Sequence, residues 1–469
     1  MTELRDNYDV AVVGAGPAGL AAATVCAGAG LETVLFDEQL AAGGQIYRAV
    51  TTTPIKQNTV LGADYWAGGA LAQQFLASGA HYVPGATVWN LTREREIGVS
   101  IAGAAHVLKA ERVILATGAL ERPFPIPGWT LPGVMTAGAG QILLKSAGLI
   151  PDGRTVIAGC GPLLWLIAWQ YLNAGARIDA ILETAGADRA GAWRHAPAFA
   201  TSRYLLKGLK LLLAVRRRVR VISNVIELRA EGHDRVEAVA YRTARGAEQR
   251  LPVDNLFLHQ GVVPNVNLAM AAGIEHRWDP VQLCFAPVLD ADGGTAITGI
   301  AIAGDGAGIA GAEAAQARGM LAGIAAMRAL RPGVQAAAPE AKVRARLARF
   351  MRGRAFLDAY YRPATQFRRP ARDTLVCRCE EVTAGQIADT VALGCTGPNQ
   401  MKAFLRCGMG PCQGRLCGLT VTELIAQARG VSPQEVGYYR LRPPIKPITL
   451  GELASLPKNE AALRSVARG

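Results

Sequence analysis

Short apolar runs that end in glycine are the main pattern along the chain. Residues 8–13, YDVAVV, predict a strand, and a helix of small residues and a second apolar strand, ETVLF, follow it. Residues 154–183 repeat the order of strand, glycine turn, helix and strand. Strands that alternate with helices predict an α/β fold built on parallel sheets. The uncharged run between Arg154 and Arg177 contains glycines and a proline, so we interpret it as part of this repeat and not as a membrane span.

The first glycine turn has the residues that a dinucleotide site requires. Gly14 allows the tight turn, Gly16 lets a pyrophosphate approach the backbone, and Gly19 lets the helix pack closely on the strand. The N-terminus of the helix supplies free N–H groups and a positive dipole end for phosphates. Asp37 ends the second strand and is placed to accept hydrogen bonds from ribose hydroxyls. We therefore predict a dinucleotide site, with a glycine-rich packing turn as the alternative.

The second glycine turn departs from this pattern. It contains Gly159 and Gly161, but Leu164 stands where a third small residue is expected. A bulky side chain there would hold the helix away from the strand or cross the path of the nucleotide. The next strand ends at Glu183, an acid that suits NAD rather than NADP. Two interpretations stay open: a site for NAD(H) or another nucleotide, and a retained fold that has lost its site.

Composition places the chain among globular proteins of several domains. It has 469 residues, of which 50% are hydrophobic and 19% charged, and this balance excludes a disordered chain. The 53 glycines show no three-residue period, which excludes collagen. Nine cysteines are too few for a secreted disulfide scaffold, and the N-terminus, MTELRDNYD, has no apolar signal region. We therefore expect a cytoplasmic protein without a transmembrane segment.

The net charge of +13 is concentrated in one segment. Residues 331–372 carry ten arginines and one lysine against Glu340 and Asp358. Residues 340–361 predict a single amphipathic helix with Val343 and Leu347 on its apolar face. The main interpretations are a solvated helix between domains and a docking surface for an acidic partner subunit. Peripheral contact with an anionic membrane is a third, whereas we expect no nucleic acid because no DNA-binding motif accompanies the charge.

Six of the nine cysteines fall within residues 377–417, a density that indicates a metal site in a chain without a secretion signal. One residue separates Cys377 from Cys379, 32 residues lie between Cys379 and Cys412, and four separate Cys412 from Cys417. Zinc and an iron–sulfur cluster both accept four thiolates, but zinc knuckles have a two-residue spacing. The other cysteines are Cys26, Cys160 and Cys284. Their lack of paired spacing disfavours a disulfide reductase mechanism.

Two later segments extend the first site. VILATGALERPFPIPG at 113–128 and TGIAIAGDGAGIAGAEAAQARG at 298–319 resemble segments of flavoproteins with two dinucleotide-binding domains. The resemblance implies an FAD site in which Asp305 binds the ribityl chain and the helix near Gly311 points at the flavin. Residues 43–48 would lie beside the isoalloxazine ring. The implied FAD contacts are Gly14, Gly16, Pro17, Ala18, Gly19, Asp37, Glu38, Gly44, Gln45, Arg48, Val88, Thr117, Gly118, Gly304, Asp305 and Gly311.

The cysteine-rich segment has a resemblance of its own. CRCEEVT and GMGPCQGRLC are similar to stretches of the [2Fe–2S] domain of bacterioferritin-associated ferredoxins. On that match the cluster ligands are Cys377, Cys379, Cys412 and Cys417. Cys395 and Cys407 are left as non-ligands, and Cys407 is near enough in sequence to be a rival of Cys412. The glycines of the segment would let the backbone donate N–H bonds to the sulfides.

All these motifs, followed by RPPIKPITLGELA, occur here in the order found in the FAD-containing A (alpha) subunits of heteromeric amine and amino-acid dehydrogenases. This family includes nopaline and octopine oxidases, hydroxyproline and proline dehydrogenases and hydrogen cyanide synthase. The resemblance implies a flavin-containing beta subunit that oxidises an amino acid, imino acid or opine, and a small iron–sulfur subunit in some complexes. This chain would carry electrons through [2Fe–2S] and FAD to an acceptor. No catalytic residue is identified, and we interpret the six histidines as structural or surface residues, with His259 at a strand edge.

The expected fold class is therefore α/β, a flavoprotein with two dinucleotide-binding domains and a small helical [2Fe–2S] domain. The expected domains are FAD-binding (1–150 and 265–330), NAD(P)-binding-like (151–264), basic connector (331–373), [2Fe–2S] (374–430) and C-terminal tail (431–469). A stand-alone NAD(P)H-dependent reductase and a scaffold or electron-relay protein that is inactive alone are the alternatives to the dehydrogenase subunit.

Overall fold

The computed structural model of the chain describes residues 4–57, 60–186 and 189–456. The N-terminal elements are β1 (Asn7–Val13), α1 (Pro17–Gly28), β2 (Thr33–Asp37), α2 (Ala63–Leu76), β3 (His81–Pro84), β4 (Ala86–Leu91), β5 (Glu96–Ile101) and β6 (Ala104–Leu115). The next are β7 (Ala119–Glu121), β8 (Val134–Thr136), α3 (Ala137–Ala147), β9 (Thr155–Cys160), α4 (Pro162–Asn173), β10 (Ala180–Glu183), α5 (Ala196–Ala200), α6 (Arg203–Arg216), β11 (Arg220–Ile222), β12 (Val225–Glu231), β13 (Ala238–Thr243), β14 (Gln249–Pro252), β15 (Asn255–Gln260) and β16 (Val262–Pro264).

The remaining elements add one strand to the sheet of β1–β6 and form the C-terminal part of the chain. They are α7 (Asn267–Ala271), β17 (His276–Asp279), β18 (Cys284–Pro287), β19 (Ile300–Ile302), α8 (Ala312–Leu330), α9 (Glu340–Met351), α10 (Arg354–Tyr360), α11 (Thr365–Arg368), β20 (Leu375–Cys377), β21 (Val382–Thr383), α12 (Ala384–Ala392), α13 (Pro398–Leu405), α14 (Gly418–Arg429), α15 (Pro433–Val436) and α16 (Leu450–Ala454). No helix among the described residues is long and apolar enough to cross a membrane.

The first sheet has the order β3-β2-β1-β6-β5-β4, with β19 parallel to β6. Val13 pairs with both Phe36 and Leu115, so the carboxyl ends of β1, β2 and β6 meet at one edge. Helices α1 and α8 cover this sheet and approach each other closely. A Cβ on Gly319 would lie 2.0 Å from the carbonyl oxygen of Ala18, so only glycine allows this approach. The small residues of both helices therefore allow residues 298–319 to lie against the first glycine turn.

The second sheet is parallel, with the order β11-β10-β9-β15-β8. Strands β12, β13 and β14 form a separate antiparallel sheet. We call the part of the chain built on the first sheet the first unit and the part built on the second sheet the second unit. Strands β7 and β16 pair where the chain passes between them. Because β8 and α3 belong with the second sheet, that unit begins before residue 134. The boundary expected at 150 is therefore too late, since no change of composition in the sequence marks the crossing.

The connector is two helices and not one. The expected helix over 340–361 breaks between α9 and α10, where Gly353 has a φ of +84°. A Cβ on Gly353 would lie 2.7 Å from Ser202, so the break brings the connector against the second unit. Of the two residues expected on the apolar face, Val343 is buried and Leu347 is half-buried, and Phe350 is buried beside them.

Intramolecular ion pairs use part of the connector's charge. Arg344 pairs with Asp292 and Glu340, and Arg354 pairs with Asp358. These arginines hold the connector to its own chain, so they are less available to an acidic partner than the sequence suggests.

The cysteine-rich unit is small and mostly helical. Its core contains Val421 and Ile425 of α14, Ile387 of α12 and Met401 of α13. Residues 433–441, which we expected to begin a tail, also belong to it, because the side chains of Val436, Tyr439 and Leu441 complete the same core. The rest of the expected tail returns to the first unit, and residues 457–469 lie outside the described residues.

Candidate functional site

The carboxyl edge of the first sheet opens into a cavity of about 1950 Å³. Its lining includes every expected FAD contact except Gly19: Gly14, Gly16, Pro17, Ala18, Asp37, Glu38, Gly44, Gln45, Arg48, Val88, Thr117, Gly118, Gly304, Asp305 and Gly311. Gly19 lies behind the turn, where a Cβ would be 1.8 Å from the carbonyl oxygen of Gly14. The structure therefore brings segments from residues 14 to 311 to one cavity, at the position where parallel α/β sheets bind ligands.

The acids at the end of β2 have different partners. Asp37 accepts hydrogen bonds from the backbone N–H groups of Ala15, at 2.5 Å, and Gln39, at 2.7 Å. Burial raises the pKa of Asp37 above its usual value. Glu38 pairs with Lys446 at 2.7 Å, an ion pair that holds the C-terminal segment against this rim of the cavity. Asp37 is thus directed at the glycine turn, as a ribose-binding acid must be.

A second wall of the cavity comes from residues 43–48. Gly44 has a φ of +61°, and a Cβ there would lie 2.7 Å from the Cα of Gly16, so this loop lies directly on the first turn. Arg48 donates to the side-chain oxygen of Gln45 at 2.8 Å. The loop is therefore fixed against the site by contacts that need glycine at residue 44.

Lys145 of α3 is a wall residue that the sequence did not predict. Its Nζ donates to the carbonyl oxygens of Gln45, at 3.2 Å, and Ile46, at 2.9 Å, and to the side chain of Gln141 at 2.9 Å. The side chain is only 1% exposed, and burial, followed by the charge of Arg48, lowers its pKa to about 7. No local pattern marks Lys145, because the backbone partners of its Nζ lie about 100 residues earlier in the chain.

The far wall is the turn before α8. One oxygen of Asp305 accepts the N–H groups of Ala310, at 2.9 Å, and Gly311, at 3.0 Å. Arg318 donates to the carbonyl oxygen of Gly304 at 3.1 Å. These bonds hold the N-terminus of α8 toward the cavity, so its positive dipole end faces the ligand space.

The second glycine turn has a different environment. Gly159, Gly161 and Leu164 are buried and lie outside the lining of the cavity as the structure describes it. Glu183 is 3% exposed and pairs with Arg189 at 3.0 Å, and the hydroxyl of Ser223 donates to it at 2.9 Å. The fold of a dinucleotide-binding unit is therefore present, and Pro162 and Leu163 after the turn reach the cavity, but Gly159, Gly161 and Glu183 are buried outside its lining.

His259 is a buried residue of an interior strand rather than of a sheet edge, because β15 lies between β9 and β8. Its Nδ1 is 2.7 Å from a carboxylate oxygen of Glu121, which also accepts the N–H of Gly138 at the start of α3. The expectation of an edge position was wrong, but the histidine has a hydrogen-bond partner, as expected of a structural residue.

The cysteine-rich unit gathers five thiols. The sulfurs of Cys377, Cys407 and Cys417 lie within 4.8 Å of one another. Hydrogen bonds from Cys407 and Cys417 lower the pKa of Cys377 to about 2. Cys379 and Cys412 are in side-chain contact with each other. Both groups contain a cysteine of CRCEEVT and a cysteine of the later segment, residues 407–417. Neighbouring thiols that stabilise a thiolate form a suitable site for a metal.

The structure brings Cys377 and Cys417 together with Cys407, which was expected to be a non-ligand, whereas Cys379 and Cys412 lie outside that group of three. A four-thiolate cluster needs four of these five thiols. Cys395 is buried and its Sγ donates to the carbonyl oxygen of Gly397. Cys407 lies beside Cys377 and Cys417, and Cys412 lies beside Cys379. The positions of the thiols therefore allow either Cys407 or Cys412 as the fourth ligand.

Tyr439 packs on the loop that carries these cysteines. A Cβ on Gly408 would lie 2.4 Å from its ring, and one on Gly414 would lie 2.6 Å from it. Its hydroxyl is 3.4 Å from the sulfur of Cys407 and 3.8 Å from that of Cys417. The glycines of GMGPCQG thus make room for this aromatic ring as well as allowing the loop to turn, and the sequence did not predict Tyr439 as a site residue.

The three earlier cysteines are dispersed. Cys26, Cys160 and Cys284 are buried, and burial raises the pKa of each to about 12. Thiols with raised pKa values react slowly.

Comparison with known proteins confirms the family expected from the motifs. Residues 8–327 match the family Pyridine nucleotide-disulphide oxidoreductase, and residues 371–456 match the Sarcosine oxidase A3 domain. The A subunit of opine oxidase from Agrobacterium tumefaciens is 49% identical over 99% of this chain and 95% of its own length. The HcnB subunit of hydrogen cyanide synthase from Pseudomonas aeruginosa is 32% identical over 96% of this chain and 99% of its own length.

A solved structure shows the same fold. L-proline dehydrogenase from P. horikoshii superposes with a TM-score of 0.69 at 21% identity, covering 95% of this chain and 79% of that chain. The α/β fold class expected from the sequence is confirmed by this likeness. The chain therefore belongs to the pyridine nucleotide-disulphide oxidoreductases, in the family of opine oxidase A subunits and related oxidoreductase subunits.

Proposed function

We propose that this chain is the electron-transferring subunit of a heteromeric oxidase for an amino acid, imino acid or opine. A flavin-containing beta subunit would oxidise the substrate, and a small iron–sulfur subunit would complete the complex. The observation that carries the proposal is the presence, on one chain, of a dinucleotide cavity and a separate group of converging thiols. The names of the relatives, which are subunits of oxidases and of hydrogen cyanide synthase, support it.

The residues of the first cavity fit FAD. The close backbone contacts at Gly14, Gly19 and Gly44 allow no side chain beyond glycine, and Asp37 lies at the end of the neighbouring strand. The N-terminus of α8 favours negative charge on the ring at the other end. When bound, FAD would supply the chemistry of accepting and releasing electrons. The chain's own part is to hold its two ends and to exclude water from the ring.

The residues of the cysteine-rich unit fit a [2Fe–2S] cluster. We propose Cys377, Cys379, Cys412 and Cys417 as the ligands, because they form two pairs that each join both motifs. Replacing Cys412 by serine should then remove iron, acid-labile sulfide and the EPR signal of the reduced protein. Cys407→Ser should retain all three. The opposite result would put Cys407 in the place of Cys412, with Cys377, Cys379 and Cys417 as the other ligands.

The alternative enzyme is a stand-alone NAD(P)H-dependent reductase that uses the same two groups. Its support is the second dinucleotide-binding fold with Gly159 and Gly161. Against it, those glycines and Glu183 are buried outside the lining of the cavity, and Glu183 pairs with Arg189. A third interpretation is a scaffold or electron-relay subunit that is inactive alone; as a pure scaffold, the chain would bind neither redox group.

One experiment distinguishes these functions. The chain is purified anaerobically, alone and together with its beta subunit, and flavin absorbance is followed after adding octopine, L-proline or NADH. We expect bleaching by one of the first two only when both subunits are present. Rapid bleaching by NADH of the chain alone would support the reductase, and bleaching by an amino acid without a partner would contradict both enzyme proposals. A chain that binds neither FAD nor iron would support the scaffold.

A further inference from the structure

The connector crosses the carboxyl edge of the second sheet. Pro363 pairs with Ala185 in an antiparallel bridge directly after β10. The amide nitrogen of Gly186 lies 3.5 Å from the carbonyl oxygen of Arg362. Residues 360–363, here called the crossing segment, therefore lie at the end of the strand whose last residue was expected to bind ribose.

The crossing segment also reaches the second glycine turn. Cys160, which stands between Gly159 and Gly161, donates from its sulfur to the carbonyl oxygen of Tyr361 at 3.5 Å. Cys160 is fully buried. The backbone of the connector thus lies against the turn where the pyrophosphate of a dinucleotide would approach.

Glu183, the acid at the end of β10, is connected to the crossing segment through Arg189. Glu183 pairs with Arg189 at 3.0 Å. The guanidinium of Arg189 lies 4.6 Å from the centre of the Tyr360 ring and donates to the Tyr360 hydroxyl at 3.0 Å. A carboxylate that is buried and paired with arginine is not free to accept ribose hydroxyls.

We propose that the crossing segment closes the second dinucleotide site, so that this unit is a docking site for the chain's own connector and does not bind NAD(H) or NADP(H). The contrast with the first unit supports this: Gly14 and Gly16 line an open cavity, whereas Gly159 and Gly161 are buried and the connector contacts Cys160 between them. A nucleotide would have to displace a segment that is covalently attached and hence present at high effective concentration.

Closure gives the retained fold a structural role. Immediately after the crossing segment, Phe367 packs edge-on against Phe124 at 5.5 Å between ring centres, and Arg368 pairs with Glu423 of α14. The second unit therefore holds the connector just before it enters the cysteine-rich unit. The contact of the crossing segment with the carboxyl edge of the second sheet therefore fixes the position of the cysteine-rich unit.

Nucleotide binding and hydrogen exchange test this proposal on the full chain, without substrate or partner. We expect no saturable binding of NADH or NADPH by calorimetry to the FAD-loaded protein, and no change of hydrogen exchange at residues 159–164 or 360–363 when they are added. The double variant Arg189→Ala with Tyr360→Ala should raise exchange in both segments. Arg349→Ala, an exposed change on α9, is the matched control and should leave them unchanged.

Two results would overturn closure. The first is NADH binding to the wild-type protein that slows exchange at residues 159–164 and is lost in Glu183→Ala. The second is a double variant that folds, with normal far-ultraviolet circular dichroism, yet exchanges at residues 360–363 as the wild type does. Neither readout depends on oxidase activity, so a failure of the proposed function and a failure of closure are distinguishable.

Discussion

The hydroxyl group of Tyr439 lies 3.4 Å from the sulfur of Cys407, inside the core of the cysteine-rich unit. The same hydroxyl is 3.8 Å from the sulfur of Cys417, one of the proposed cluster ligands. Hydrogen bonds to ligand sulfur stabilise the more negative, reduced form of a cluster and raise its reduction potential.

We therefore expect Tyr439→Phe to lower the reduction potential of the cluster, measured by redox titration of the EPR signal, while iron content stays the same. Tyr438→Phe is the matched control, because its hydroxyl donates to the carbonyl oxygen of Gly414 at 3.3 Å and not to a sulfur. Equal potentials in wild type and Tyr439→Phe would show that this hydroxyl does not act on the cluster.

Gly19 tests the first cavity. A Cβ there would lie 1.8 Å from the carbonyl oxygen of Gly14, so Gly19→Ala must push α1 away from the turn. We expect a loss of about 1–3 kcal/mol in the free energy of unfolding and a fall in bound FAD, measured by absorbance after gel filtration. Gly28→Ala in the same helix is the control, because nothing lies within 4 Å of its added Cβ. Full FAD content in Gly19→Ala would contradict this account of the turn.

The ion pair of Arg368 and Glu423 tests how the connector holds the cysteine-rich unit. Both side chains are buried, and burial lowers the pKa of Arg368 to about 10. Arg368→Met leaves Glu423 with Arg369, whose nitrogen is 3.8 Å away, as its one ion-pair partner among the residues that the structure describes. We expect a loss of about 3 kcal/mol, measured by hydrogen exchange of α14 amides in increasing denaturant.

An exposed pair on the same segment is the control for that change. Arg372 pairs with Asp389 at 2.7 Å, and both side chains are about two-thirds exposed, at 67% and 69%. Arg372→Met should cost less than about 1 kcal/mol, because solvent screens such pairs. Similar losses in both variants would mean that burial does not decide the strength of the Arg368 pair.

Lys145 makes stability depend on pH. Its pKa is about 7 in the folded protein, lowered by burial from the usual 10.5. Between these values the unfolded chain binds more protons than the folded chain, so raising the pH through 7 toward 10 stabilises the fold. Below pH 7 both states are protonated, and the full cost of burying the cation remains.

Lys145→Met removes this titration. The free energy of unfolding of the variant minus that of the wild type should be larger at pH 6 than at pH 9 by about 2 kcal/mol. Urea unfolding at the two pH values measures this difference. Lys342→Met, at an exposed position of α9, should show no such difference. If the two lysine variants have the same pH dependence, the folded-state pKa of Lys145 is not depressed.

The residues of the first glycine turn could be identified from the sequence as one group because the information for them is local. Gly14, Gly16 and Asp37 follow one another along a strand, a turn, a helix and a strand, and each has a role that backbone geometry dictates. The cysteine motifs are local in the same sense. Wrong expectations arose where distant segments meet: β8 joins the second sheet through β15, and Gly353 breaks a helix to fit against Ser202.

By itself, the sequence determined that this protein has an α/β fold with two dinucleotide-type turns and a cysteine-rich unit, because residue type and spacing limit the backbone over short distances. It left open whether the second turn binds a nucleotide and how Cys407 is placed. Only the tertiary structure puts residues 360–363 beside Cys160 and Cys407 beside Cys377, since those contacts join segments far apart in the chain. Their energies depend on burial and on charge partners that no local pattern specifies.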